Sequence, residues 1–200
     1  MAQTTQPQLL GGRLAVNFAN AGSSQTDLSW EELIQFLEKA RIISPERSSQ
    51  LTSLPQINPH AAEGLFVKAQ RLRLSLRKVF ASLVRKERIP REWAEPVNEV
   101  LRITEGHDEL VLEDGEWRTE FMAREGGLDW LLAAIARSAA EIIVEGEAAR
   151  LRLCANPHCG LFFCDTSRTH RRRWCSMSVC GNRHKVAAFA RKHSGRGHGA

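Results

Sequence analysis

The chain has 200 residues, 42% of them apolar, and a formal net charge of +5, which suits one domain plus a small module, or two small domains. No apolar run approaches the ~20 residues that cross a bilayer. The opening MAQTTQPQLLGG has neither the charged start nor the apolar block of a signal peptide, so a cytoplasmic protein with no membrane partner is expected.

The predicted elements follow in chain order. Gln3–Gln8 is polar and read as frayed. GGRLAVNFANAG reads as a short helix with Leu14, Val16, Phe18 and Ala19 apolar. Asp27 or Ser29 caps a helix whose Trp30, Leu33, Ile34 and Leu37 share one face. Ser44-Pro45-Glu46 starts another, ending near Pro55. Asn58-Pro59 opens the longest helix, to about Glu87. Its Leu65, Ala69, Leu72, Leu76, Val79 and Leu83 form a buried stripe. Lys68, Arg71, Ser75, Lys78, Ser82 and Arg85 form a second stripe, read as a solvated face. Pro90 stops this helix, and Trp93 to Ile103 forms the next. LVLEDGEWRTEF alternates around Asp114-Gly115, a hairpin signal. After Gly126-Gly127, Leu128, Leu131, Leu132, Ile135, Ala139, Ile142 and Ile143 share a helix face that ends near Gly146. Glu147 to Leu153 is a short, helical linker. A last helix runs from Ser176–Cys180 to about His193, with Val186, Ala187, Phe189 and Ala190 packing inward, and SGRGHGA is a tail.

All five cysteines fall between Cys154 and Cys180. Cys154/Cys159 and Cys175/Cys180 are two C-x4-C pairs, and four thiolates make a closed tetrahedral zinc site. In the reducing cytosol such a cluster reads as a metal site rather than disulfides. Cys164 is an alternative ligand by type, as are His158, His170 and His184. Cys164 sits in the apolar run Leu161-Phe162-Phe163, where a small buried residue is also expected. LFF and RRRW are expected to pair as a hairpin around Asp165-Thr166, with Asp165 and Arg168 paired across the turn. Gly181 allows a close approach. Asn182 either bridges the cluster or lies on the surface.

Charge is divided unevenly. Residues 150–200 hold eleven Lys or Arg and one acid, Asp165, while residues 1–149 hold 17 basic and 22 acidic residues. A zinc tetrathiolate would add about −2, which leaves a strongly cationic module, the footprint of a phosphate-binding surface. Arg168, Arg171, Arg172, Arg173, Arg183, Lys185 and Arg191 are the candidate nucleic-acid contacts. Arg183 reads a base edge or shields the thiolates. The HExxH, zinc-deaminase, P-loop, G-x-S-x-G and dinucleotide patterns are absent, so the chain is not read as an enzyme. A structural zinc module for protein or RNA contact is the alternative; it predicts scattered charge and an exposed apolar patch.

CANPHC, DTSR and RRRWCSMSVCGNRHK together resemble the CGNR-type zinc finger of bacterial regulators. That resemblance implies zinc on Cys154, Cys159, Cys175 and Cys180, an apolar role for the Cys164 position, double-stranded DNA as partner and transcriptional regulation. GGRLAVNFANA resembles the GGRLALDFVNT opening of the ABATE domain that precedes such fingers, with Asn17 in place of Asp and Ala21 in place of Thr. ARSAAEIIVEGEAARLRLCANPHC resembles its end, and Arg77 in LSLRKVF matches the arginine of its L-R-E-A segment. This implies a stress-linked regulatory or sensor domain. A polar pocket between the first and the long helix, built from Asn17, Asn20 and Arg77, is expected to take a small-molecule effector; the alternative is that these residues cap or bridge helices. The expected architecture is a mainly α-helical body with one β-hairpin (α+β) over 1–149, a treble-clef-like four-cysteine zinc finger over 150–193 and a tail over 194–200. A homodimer is also expected.

Overall fold

In a computed structural model, residues 9–22, 28–103, 106–113, 116–123 and 127–194 are described. The expectations for Gln3–Gln8, Asp27, the Asp114-Gly115 turn, Gly126 and residues 195–200 fall outside them.

The body is built on one long helix. Asn58 accepts a hydrogen bond from the Ala61 N–H and Pro59 occupies the first turn, so α5 (Pro59–Arg85) starts where the sequence places it. Its Leu65, Ala69, Leu72, Leu76 and Val79 are buried at the predicted spacing. Around it lie α1 (Leu14–Ala19), α2 (Trp30–Lys39), α3 (Pro45–Thr52), the single turn α4 (Leu54–Ile57), α6 (Arg91–Ile103) and α7 (Ala133–Glu145). Ser29 and Glu32 form a reciprocal capping box at the start of α2. The hairpin forms from β1 (Gly106–Glu113) and β2 (Glu116–Ala123), with Leu112 opposite Trp117. A 3-10 turn, Asp129–Leu132, leads into α7.

The second stripe of α5 is solvated in part: Arg71, Lys78 and Arg85 are exposed and Lys68 is half-buried, but its two serines are not at the surface. Ser75 and Ser82 are buried, and the Ser75 hydroxyl donates to the Trp93 carbonyl. Lys68 pairs with Asp129 at 2.6 Å and Arg71 with Glu99 at 3.0 Å. Arg73, beside the buried stripe, also turns inward: it is 1% exposed and donates to the Ala21 carbonyl at 2.7 Å.

The linker Gly146–Ala149 is a 3-10 turn, and Leu151 already begins a strand. β3 (Leu151–Leu153) pairs antiparallel with β4 (Phe162–Cys164), so LFF pairs backwards and not with RRRW. The Cys154 N–H donates to the Leu161 carbonyl at 2.9 Å, closing the first C-x4-C loop against the strand pair. RRRW contributes one bond to that edge, from the Ala155 N–H to the Arg173 carbonyl at 2.9 Å. A π turn, Met177–Gly181, opens into α8 (Asn182–Ser194). A cysteine loop, a short hairpin and a helix starting just after the last cysteine make the expected treble-clef-like arrangement.

Successive strand residues face opposite sides, and β4 divides its side chains between two cores. Phe162 and Cys164 join the core of the body, while Phe163 joins a second, small core with Cys154, Cys175 and Cys180. α1 meets the same strand edge-on. Asn20 donates to the Phe162 carbonyl at 2.7 Å and accepts from its N–H at 3.0 Å, and the Cys164 N–H donates to the Gly11 carbonyl at 2.8 Å. A Cβ on Gly11 would stand 2.7 Å from Val16 and 2.8 Å from the Asn17 side chain, so the close approach needs glycine.

Candidate metal centre and basic surface

The Sγ atoms of Cys154, Cys159, Cys175 and Cys180 all lie within 4.8 Å of one another. Cys159 and Cys175 are 3.6 Å apart, and Cys175 and Cys180 3.7 Å. A disulfide needs about 2 Å, so these are thiols. Around a tetrahedral metal with bonds of about 2.3 Å, sulfurs sit about 3.8 Å apart. The spacing and the donor set therefore fit one metal ion closed on four sides. No other group of metal-ligating side chains comes this close together among the described residues. Cys164 lies on the opposite face of β4, in the body core, where burial raises its thiol above the usual range. His158 is exposed, His170 contacts Arg150, and His184 lies 4.8 Å, ring to ring, from Trp174.

Burial pushes the Cys159 thiol up to about 11, and burial with the neighbouring Cys159 thiol pushes Cys175 higher still. Burial opposes the Cys180 thiolate too, but the Asn156 amide and the adjacent thiols donating to its sulfur hold it below the usual range. The Asn156 Nδ2–Sγ distance is 3.5 Å, and the Cys175 N–H reaches the Cys154 sulfur at 3.5 Å. Such donors orient thiolate ligands and spread their charge. Asn182, considered as a bridge to the cluster, instead donates to the Ser178 carbonyl at 3.2 Å. A Cβ on Gly181 would meet the Met177 sulfur at 2.7 Å, so the close approach is to a side chain.

Asp165 holds the loop that carries the arginines. It is 1% exposed. Its carboxylate accepts from the Ser167 N–H and hydroxyl and from the Arg172 N–H at 2.9 Å, and pairs with Arg152 at 3.2 Å. The expected partner, Arg168, is not among these; a short Asx turn takes the Ser167 donors and leaves Arg168 exposed. Burial works against the Asp165 charge, but these hydrogen bonds and Arg152 bring its carboxyl below the ordinary value.

The basic residues divide into two groups. Arg168, Arg171, Arg173, Arg183 and Lys185 are exposed. Arg172 turns inward: it donates to the Trp174 carbonyl at 2.8 Å and to the Cys175 carbonyl, and lies 4.7 Å over the Phe163 ring. Arg191 belongs to α8. The inward packing expected of α8 is not found at Val186, 69% exposed, at Ala187, or at Phe189, 66% exposed; the Ala190 side chain lies outside those described.

Asn17, Asn20 and Arg77 do come together with the first helix, but on protein partners. The Asn17 carbonyl oxygen accepts from the Gly11 N–H at 2.7 Å. Arg77 donates to the Ala19 carbonyl at 3.0 Å and the Gly160 carbonyl at 3.4 Å, over the Phe162 ring. With Asn20 on the Phe162 backbone, the trio fastens β4 to the body, as bridging groups. Nothing in the sequence links positions 20 and 162, so this role was invisible there.

A helical body carrying a four-thiol finger on its edge is the layout of a two-part zinc-finger protein. In sequence, residues 150–193 match the CGNR zinc finger family, and residues 12–146 match ABATE, described as "Putative stress-induced transcription regulator". The chain belongs to the ABATE family and ends in a CGNR zinc finger. Neither family is described as one of enzymes. No curated protein matches the chain. Among the described residues no helix is long and apolar enough to cross a membrane.

Proposed function

We propose that the protein is a cytoplasmic, non-enzymatic transcription regulator in which zinc on Cys154, Cys159, Cys175 and Cys180 shapes a surface that binds double-stranded DNA. The functional parts are a regulatory body over 1–149, a finger over 150–193 and a tail over 194–200. The observation that carries the reading is the fate of the lone acid in the cationic segment. Asp165 is buried and spent on Arg152 and the loop backbone, so no carboxylate within the finger offsets its exposed cations. Arg168, Arg171, Arg173, Arg183, Lys185 and Arg191 supply phosphate contacts. Arg172 serves by holding the loop. The zinc is structural, since four thiolates leave no open position for water.

The test is binding of a labelled duplex to the full chain, zinc-loaded and chelated. Binding at low salt only by the zinc-loaded form is expected; its absence contradicts the reading. Arg183→Ala separates two roles: lost discrimination at one base position, about 1–3 kcal/mol, if it reads a base, or lost zinc retention if it shields the thiolates.

A second reading has one specific observation behind it. Met177, Val186 and Phe189 are exposed apolar residues on the finger, and in this reading they take a protein partner. Val186→Ser with Phe189→Ser then abolishes an association seen in sedimentation and leaves duplex affinity unchanged.

A further inference from the structure

A groove of about 420 Å³ lies along the seam between body and finger. Leu83 and Val84 at the end of α5, with Leu151 and Leu153 of β3, give it an apolar lining. Lys86, Arg150, Arg152 and Arg173 surround it with cations. The one acid that lines it, Glu147, is paired with Lys86 at 3.0 Å. A cleft of this size at a junction, apolar with a few convergent charges, has the make-up of a ligand site.

The backbone adds an independent observation. Among the described residues four non-glycine positions have φ in the left-handed region, and three of them are Lys86 at 59°, Arg150 at 51° and His170 at 50°. Lys86 and Arg150 line the groove, and His170 touches the Arg150 guanidinium at 2.6 Å. Lys86 follows α5 and Arg150 follows the Gly146–Ala149 turn. At such helix ends glycine adopts the conformation without steric cost and is the common choice. Here both positions carry a cation into one groove. A cation after α5 also suits the last carbonyls of that helix, but this does not explain why Arg150 and Arg173 converge on the same place from the finger. The Arg173 face lies 5.3 Å over Trp174, which leaves the in-plane N–H fork for an oxyanion.

We propose that the seam groove binds a phosphate group, held by Arg150 and Arg173 with Lys86. The phosphate is carried by a small molecule with an apolar part or by a nucleic-acid backbone. The site does not depend on the DNA reading, because phosphate alone tests it.

The zinc-loaded full chain is titrated with inorganic phosphate and pyrophosphate at ionic strength fixed with chloride, followed by phosphorus NMR line width. The double variant Arg150→Gln/Arg173→Gln is expected to bind about tenfold more weakly, the loss of one or two charge-assisted hydrogen bonds. Lys39→Gln/Arg47→Gln removes the same charge from α2 and α3 and is expected to bind as wild type. No phosphate binding beyond the chloride control, or equal weakening in both double variants, overturns the proposal. Should the seam variant lose zinc, Lys86→Gln replaces it: about threefold weakening supports the site, and unchanged binding overturns it. Added duplex then identifies the source. Displacement of phosphate by DNA points to the backbone, and retention to a small molecule. Failure of DNA binding alone leaves the phosphate result standing, so the two readings fail separately.

Discussion

The body and the finger are held together by different physics. The body buries an apolar stripe on α5 against helices, in a large hydrophobic core that also encloses the Arg73 guanidinium. The finger has a core of three cysteines and Phe163, with one buried aspartate organising its loop. So small a core does not fold alone without a staple. β4 joins the two, giving Phe162 and Cys164 to one core and Phe163 to the other. The finger is therefore braced on two sides of one strand, by the four-cysteine cluster on one and by the body on the other.

Removing the metal breaks this comparison most strongly. Structural zinc supplies about 10–16 kcal/mol in small fingers. Chelation is expected to abolish hydrogen-exchange protection in 154–181 while α5 stays protected. Loss of protection in both regions together would mean that the two cores are one.

Phe162→Ala attacks the joint. It removes a buried ring packed on Phe80 at 5.9 Å between centroids and is expected to cost about 3–5 kcal/mol in urea unfolding. Zinc content at saturation should stay at one per chain, since the ring faces away from the thiols.

Asp165→Asn acts within the finger alone, at about 1.5–3 kcal/mol. The wild-type carboxyl is held below its ordinary value. Its contribution is thus complete above the unfolded aspartate value of about 3.9 and fades as pH falls through the lower folded value. The difference between wild type and variant, followed by acid titration of the finger, should shrink in that window and not above it.

The smallest expected effect sharpens the ligand set. Cys164→Ala should keep zinc and cost about 1 kcal/mol, a small cavity in the body core, whereas Cys159→Ala should lose zinc. Metal analysis of both variants checks this.

The two regions also differ in how legible they were. The Cys154/Cys159 and Cys175/Cys180 spacings, the α5 stripe and its Asn58-Pro59 start are local patterns, and the structure follows them. The partners of Asn20 and Asp165 are not local. An amide at position 20 that pairs with the backbone at 162 leaves no periodic trace; the sequence brings Asn17, Asn20 and Arg77 together and offers bridging as one of their two roles, but not the strand that they bridge to. The inward packing assigned to Val186 and Phe189 failed for a related reason: an apolar pair on a short helix states that a surface is sticky but not what it faces. The LFF run is legible as a strand, but its partner β3 and the division of its faces between two cores are not, because alternation over three residues carries no signal about which core each face meets.

The proposed metal-shaped cationic surface grips phosphates, and the salt dependence of duplex affinity tests this most directly. For the zinc-loaded full chain, with about five phosphates neutralised, log K against log salt should fall with a slope of roughly −4 to −5, and Arg171→Ala or Arg173→Ala should each flatten it by about one. Binding that does not change with salt, or no binding at low salt, would contradict it.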